Sequence, residues 1–247
     1  MSDKTPARRV FMIKVASASS ALAIGAAASV ASAADGPTAA ATAPAAAPAD
    51  SESAAGYQSL GLDEIAFVEA MVNVMCPADG LTPSGVDCGL ATYMDRQLAG
   101  AFGRGDRLYR HGPVRKGKPQ HGYQLPLTPE QFFKAGVAAA DATCAKRFGK
   151  RFDELDAAQA DTFLQDIAAG KVDGGRTPLA QWFNELVYPL FTQACFADPI
   201  YSGNRGKVFW KLIGYPGLPA THSQNIVTYR GKPVPAAANP KSIQDFS

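Results

Sequence analysis

The sequence predicts an all-α protein: a single helical domain of five or six helices with an irregular aromatic, Gly- and Pro-rich C-terminal cap. Three observations carry this. Apolar residues recur at helical spacing in several separate windows. Helix-start signals precede three of them: Thr128-Pro129-Glu130-Gln131, Asp156-Ala157-Ala158-Gln159 and Thr177-Pro178. No segment shows the sustained period-two alternation of a half-buried strand.

The chain opens on an export signal. Paired Arg8 and Arg9 are followed by Phe11, an apolar residue and Lys14, the twin-arginine order. Val15 to Val30 is apolar but dominated by alanine, too short and too weakly hydrophobic for a comfortable membrane span. Ala31-Ser32-Ala33 supplies small residues for cleavage after Ala33. An uncleaved anchor is the alternative. The twin-arginine route carries cargo that has already folded, so either this domain holds a cofactor or it travels with a protein that does. Residues 34–56 are Ala-, Pro- and Thr-rich, a flexible tether without a core. Removing residues 1–33 leaves 20 basic against 21 acidic residues, so global charge gives no argument for nucleic acid.

The folded part spans residues 57–220. Leu62 to Met75 forms a first helix, with Ile65, Val68, Val72 and Met75 on one face and Asp63 and Glu64 at its positive end. Pro77 stops it, and a turn-rich loop leads to a second helix from about Asp87 to Ala99. That helix buries Leu90, Tyr93 or Met94, and Leu98. Residues 104–118 carry Arg104, Arg107, Arg110, Arg115, Lys116 and Lys118 against Asp106, beside His111. The segment reads as a solvated surface loop, or as a basic arm for an acidic face or lipid headgroups.

A third helix starts at Thr128-Pro129 and runs to Arg147 or Phe148, with Phe132 or Phe133, Val137, Ala140 and Cys144 inward and Gly149 as its stop. A fourth follows Asp156, carries Phe163, Leu164 and Ile167, and ends at Gly170. A fifth follows Thr177-Pro178 with Trp182, Phe183, Leu186, Val187 and Leu190. Pro189 must kink it or remove one hydrogen bond.

Residues 196–217 hold five aromatics, four glycines and two prolines. Large rings favour burial, whereas Gly and Pro prevent a long regular element. The result is an irregular loop pinned by rings. Asp198-Pro199 opens one turn, Ser202-Gly203-Asn204 forms a second with positive backbone angles, and Gly206 to Gly214 holds a short helix bearing Trp210. Two roles are open to it: a corner that closes the core, or a docking surface for another chain. The tail, residues 221–247, is extended or draped over the body.

Four cysteines, at 76, 88, 144 and 195, allow three pairings. Cys76 and Cys88 flank the first loop and are the expected disulfide. Cys144 and Cys195 pair across the bundle, stay as thiols or bridge to another subunit. No C-x-x-C-H, C-x-x-C or G-x-G-x-x-G motif is present, and His111, His121 and His222 lack metal-ligand spacing. No catalytic, cofactor or metal residue is therefore assigned in this chain.

Phe196-Ala197-Asp198-Pro199-Ile200-Tyr201-Ser202-Gly203-Asn204-Arg205, followed by Trp210-Lys211-Leu212-Ile213-Gly214-Tyr215-Pro216-Gly217, resembles the gluconate 2-dehydrogenase subunit 3 family. The family pattern is close to F-x-D-P-x-Y-G-G-N and then W-x-x-I-G-y-P-G. The first helix, Pro77, the loop and the second helix through Asp95-Arg96-Gln97-Leu98 are similar to it as well, so the resemblance covers about residues 60–218. Ser202 replaces the first glycine of the usual pair, and Cys195 stands where glycine is expected.

The resemblance implies a non-catalytic accessory subunit of a periplasmic, membrane-associated sugar or sugar-acid dehydrogenase. It implies FAD in a large partner subunit and haem c in a cytochrome subunit. Asp198, Pro199, Tyr201, Asn204, Arg205 and Trp210 are then the residues expected near the partner. The alternatives are a stand-alone exported helical enzyme or anionic-solute-binding protein, and a membrane-peripheral scaffold using the basic arm.

Overall fold

A computed structural model describes residues 56–109, 112, 113, 115, 117–219 and 221–246. Arg8, Arg9, Phe11, Lys14 and the Ala33 cleavage point lie outside the described residues, as do Arg110, His111 and Lys116 of the basic segment. Among the described residues the protein is all-α, and a single isolated bridge pairs Gly217 with Lys241. Five helical runs build the body: α1 (Leu62–Met75), α2 (Leu90–Ala99), α3 (Pro129–Phe148), α4 (Ala157–Ala168) and α5. The last joins three pieces, Leu179–Trp182, Phe183–Val187 and Tyr188–Phe196.

α1 is the central post. It packs against α2, α3, α4 and the short turn Phe152–Glu154. Phe67, Val68, Met71, Val72 and Met75 are buried, whereas Ile65 is only half-buried at the open end. The ring of Phe67 lies 4.5 Å from that of Phe152 and 6.4 Å from that of Trp182. The core is thus one aromatic cluster across three elements. Each fully buried ring contributes about 2–3 kcal/mol of transfer free energy.

α2 begins at Leu90 rather than near Asp87. Gly89 holds a left-handed conformation, φ +76°, which a helix cannot continue through. α3 starts as its residues require: Thr128 Oγ1 accepts from Gln131 N at 3.2 Å and Gln131 Oε1 accepts from Thr128 N at 3.0 Å. At α4 only the forward half forms, Asp156 Oδ1 accepting from Gln159 N at 2.8 Å.

α5 shows how the chain accommodates Pro189. That residue has no N–H for the Glu185 carbonyl, and its ring would collide with it. The helix widens just before it into a π-turn, Phe183–Val187, with the Tyr188 N–H reaching Phe183 O. Trp182, directly before the π-turn, donates from Nε1 to Phe133 O at 3.1 Å. A Cβ on Gly136 would stand 2.1 Å from that indole nitrogen, so glycine is what brings α3 and α5 together there.

The tail is folded rather than extended. It forms the short helix α7 (Ser223–Thr228) and two turns, Pro235–Ala238 and Ile243–Phe246, and returns to the body. α6 (Val208–Ile213) carries Trp210, and Gly214 ends it at φ +73°. No helix among the described residues is long and apolar enough to cross a membrane.

Candidate interaction site at the C-terminal cap

α5 delivers the chain at Phe196 into the aromatic and glycine-rich stretch. Asp198 does two jobs there. Its Oδ1 accepts from Ile200 N at 3.0 Å, which caps its own turn, and its Oδ2 accepts from Ile243 N at 3.0 Å, which fastens the tail. The turn Pro199–Tyr201 then leads to Ser202 and Asn204, both left-handed, with φ +73° and +46°.

That bend is held on all sides. Arg96 on α2 donates from Nη1 to Ser202 Oγ. A Cβ on Gly89 would lie 2.1 Å from Ser202 O, and one on Gly203 would lie 2.5 Å from Ala194 O. Arg205 donates its backbone N–H to Cys88 O at 3.1 Å. Asn204 is fully buried: its Oδ1 accepts from Phe209 N at 2.9 Å and its Nδ2 donates to Ala197 O at 3.2 Å. Trp210 Nε1 donates to Phe196 O at 2.8 Å, and its ring stands edge-on to Tyr215, which stands edge-on to His222. The motif is a keystone between the start of α2 and the end of α5.

The six residues expected near a partner therefore divide. Pro199, Asn204 and Trp210 are buried within this chain, and Asp198 and Arg205 are half-buried and engaged by it. Tyr201 points outward, 53 % exposed. Around it the chain shows other large apolar side chains: Ile200 in the same turn, and Ile243 and Phe246 in the tail turn packed against it, with Phe246 69 % exposed. The tail turn is fixed by Lys207, which pairs with Asp245, and by the Ser242 hydroxyl, which donates to Asp245 at 2.9 Å. Lys207 and the Ser242 N–H hold the Asp245 carboxyl well below the usual carboxylate range.

Sequence reasoning overlooked Asp95. It is fully buried, and its carboxylate accepts from Gln58 N at 2.7 Å, Ser59 N at 2.9 Å and Leu60 N at 2.9 Å. The available signal was a charge on the same helical stripe as Ala91, Met94 and Leu98. The tail residues Ile243 and Phe246 carried no signal, because their exposure depends on a chain reversal.

All four cysteines are buried. Burial, then Asp141 and Asp153, pushes the Cys144 thiol up to about 11. Cys76 and Cys88, the expected pair, share one acceptor: their sulfurs donate to Pro83 O at 3.8 and 3.7 Å. Among the described residues no group of three or more His, Cys, Asp or Glu is arranged to hold a metal ion. In the basic segment Arg104 pairs with Asp106 at 3.1 Å, and Arg107, Arg115 and Lys118 are exposed. An open groove between α1 and α3 is charged, but Lys134 pairs with Glu130 at 3.0 Å, and Arg151 with Asp63 at 2.6 Å and Asp153 at 3.1 Å.

Comparison with known proteins gives one match. The family model described as gluconate 2-dehydrogenase subunit 3 matches residues 62–217, from the first residue of α1 to the glycine that bridges to Lys241. No curated protein and no solved structure matches the chain.

Proposed function

This chain belongs to the gluconate 2-dehydrogenase subunit 3 family, and from that premise we propose that it is a non-catalytic accessory subunit which clasps and stabilises a flavin-carrying dehydrogenase subunit. The observation that carries the reading is the exposed apolar face of Ile200, Tyr201, Ile243 and Phe246. These side chains sit on two turns that Asp198 and the Lys207–Asp245 pair clamp in place. Rigid aromatic side chains presented from a fixed scaffold lose little entropy on docking, and such anchors dominate interface energetics. The internal hydrogen bonds of Asn204, Arg205 and Trp210 make that scaffold.

In this reading the chemistry belongs to companions: FAD and sugar or sugar-acid oxidation in the large subunit, and electron transfer through haem c in a cytochrome subunit. The twin-arginine order of Arg8, Arg9, Phe11 and Lys14 supports export of the pair to the periplasm, with this chain carrying the address for both.

The test is co-purification. The chain is expressed together with a candidate flavin-carrying large dehydrogenase subunit and isolated from periplasm. A two-subunit complex with a flavin spectrum and sugar-dependent dye reduction is the expected result, with both lost when this chain is omitted. A lone chain that comes out coloured, or that turns over a sugar unaided, overturns it.

A further inference from the structure

We infer that Cys76 and Cys88 form a buried disulfide that closes after the domain has folded and locks the end of α1 to the start of α2. The inference stands apart from the accessory-subunit reading. Cys76 caps the C-terminus of α1, and Cys88 directly precedes Gly89, the N-cap of α2. The backbone between them already has the geometry of a closed loop: Gly85 N donates to Cys76 O at 2.8 Å, and Cys88 N donates to Ser84 O at 2.9 Å. Asn73 on α1 pins the same loop, its Oδ1 accepting from Val86 N at 3.0 Å. Both sulfurs converge on the Pro83 carbonyl. Both sulfurs thus reach one carbonyl, and the bond requires them to turn from it toward each other.

Burial decides the timing. Cys76 and Cys88 are essentially inaccessible, whereas the loop tip at Leu81 is half exposed. An oxidant reaches the sulfurs only when residues 77–87 open, so closure is slow and limited by that opening. Reduction afterwards faces the same barrier. The oxidant is a disulfide: a protein thiol–disulfide oxidoreductase, or oxidised glutathione in the test. One cysteine thiolate attacks it, forms a mixed disulfide and expels a thiolate. The second cysteine's thiolate then attacks the protein sulfur of that mixed disulfide. The Cys76–Cys88 bond forms, the second thiolate leaves, and two electrons and two protons have passed to the oxidant.

The experiment treats the reduced, full-length chain with oxidised glutathione and follows the tryptic peptide ending at Arg96, which contains both cysteines. The expected result is a loss of about 2 Da with resistance to alkylation, at a rate that levels off as glutathione rises. The oxidised chain melts roughly 5–10 °C above the reduced one. The Cys76→Ala/Cys88→Ala double variant melts at the same temperature in oxidising and reducing buffer. Because that variant disturbs the core, Cys76→Ala alone provides a second reading: it accumulates a persistent glutathione adduct on Cys88. A disulfide linking either residue to Cys144 or Cys195, or a melting shift that survives in the double variant, overturns the inference.

Discussion

The carboxylate of Asp95, buried in the middle of α2, accepts the backbone N–H of Leu60 at 2.9 Å. The same group takes the N–H groups of Gln58 and Ser59, so one side chain satisfies three consecutive donors where the chain enters the domain. Truncation leaves those donors without an acceptor. Asp95→Ala is expected to lose about 3 kcal/mol, and Asp95→Asn about 1–2 kcal/mol, since an amide offers one oxygen and sets its NH2 against another donor. Chemical denaturation of the two variants checks the order.

Ser202 stands where the family pattern has glycine, and its φ of +73° explains the pattern. Its hydroxyl compensates by accepting from Arg96. Ser202→Gly removes the strain and the hydrogen bond together, so stability changes by less than about 1 kcal/mol. Ser202→Ala keeps the strain and loses the bond, and is expected to fall by about 1–2 kcal/mol. Equal melting of the two variants would contradict this account.

Trp210 and Tyr201 come from one motif but take opposite parts. Trp210→Phe deletes the donor to Phe196 O and should lower stability by about 1–2 kcal/mol, with partner binding reduced only as far as the fold is. Tyr201→Ala and Phe246→Ala should leave melting within about 0.5 kcal/mol and weaken association by tenfold or more. Melting and co-purification on the same preparations separate the two effects.

Acid should release the tail. Asp245 has its carboxyl pKa lowered in the folded chain by Lys207 and Ser242. A depressed folded pKa means that the stabilisation is present at neutral pH. It is lost as pH falls below the ordinary carboxyl value of about 4 toward the folded one. Hydrogen exchange of residues 241–246 should be slow at pH 7 and should accelerate, relative to the body, in that acidic window. Asp245→Asn should give the fast pattern at pH 7 and flatten the dependence.

The helices were legible because their signals are local. The Thr128 box, the Gly149 stop and the apolar faces of α1 and α4 depend on residues within one or two turns. Ser202 and Asn204 were legible as positive-φ positions for the same reason. The roles of Asp95, Arg96 and Gly89 were not, since each is defined by a partner at least 35 residues away in sequence. The short helix and turns of the tail were not legible because few large apolar residues mark it. It is held by the bridge to Gly217, a carboxylate and a lysine rather than by a core.

The turn Ile243–Phe246 places the end of the chain against the face that carries Tyr201. An affinity handle fused after Ser247 would therefore emerge beside the surface it is meant to interrogate, and one fused ahead of Arg8 would be lost if the proposed leader is removed after Ala33. A peptide epitope inserted at Gly149–Lys150, on the exposed linker between α3 and α4, leaves both ends native, and is the position from which to fish for companions.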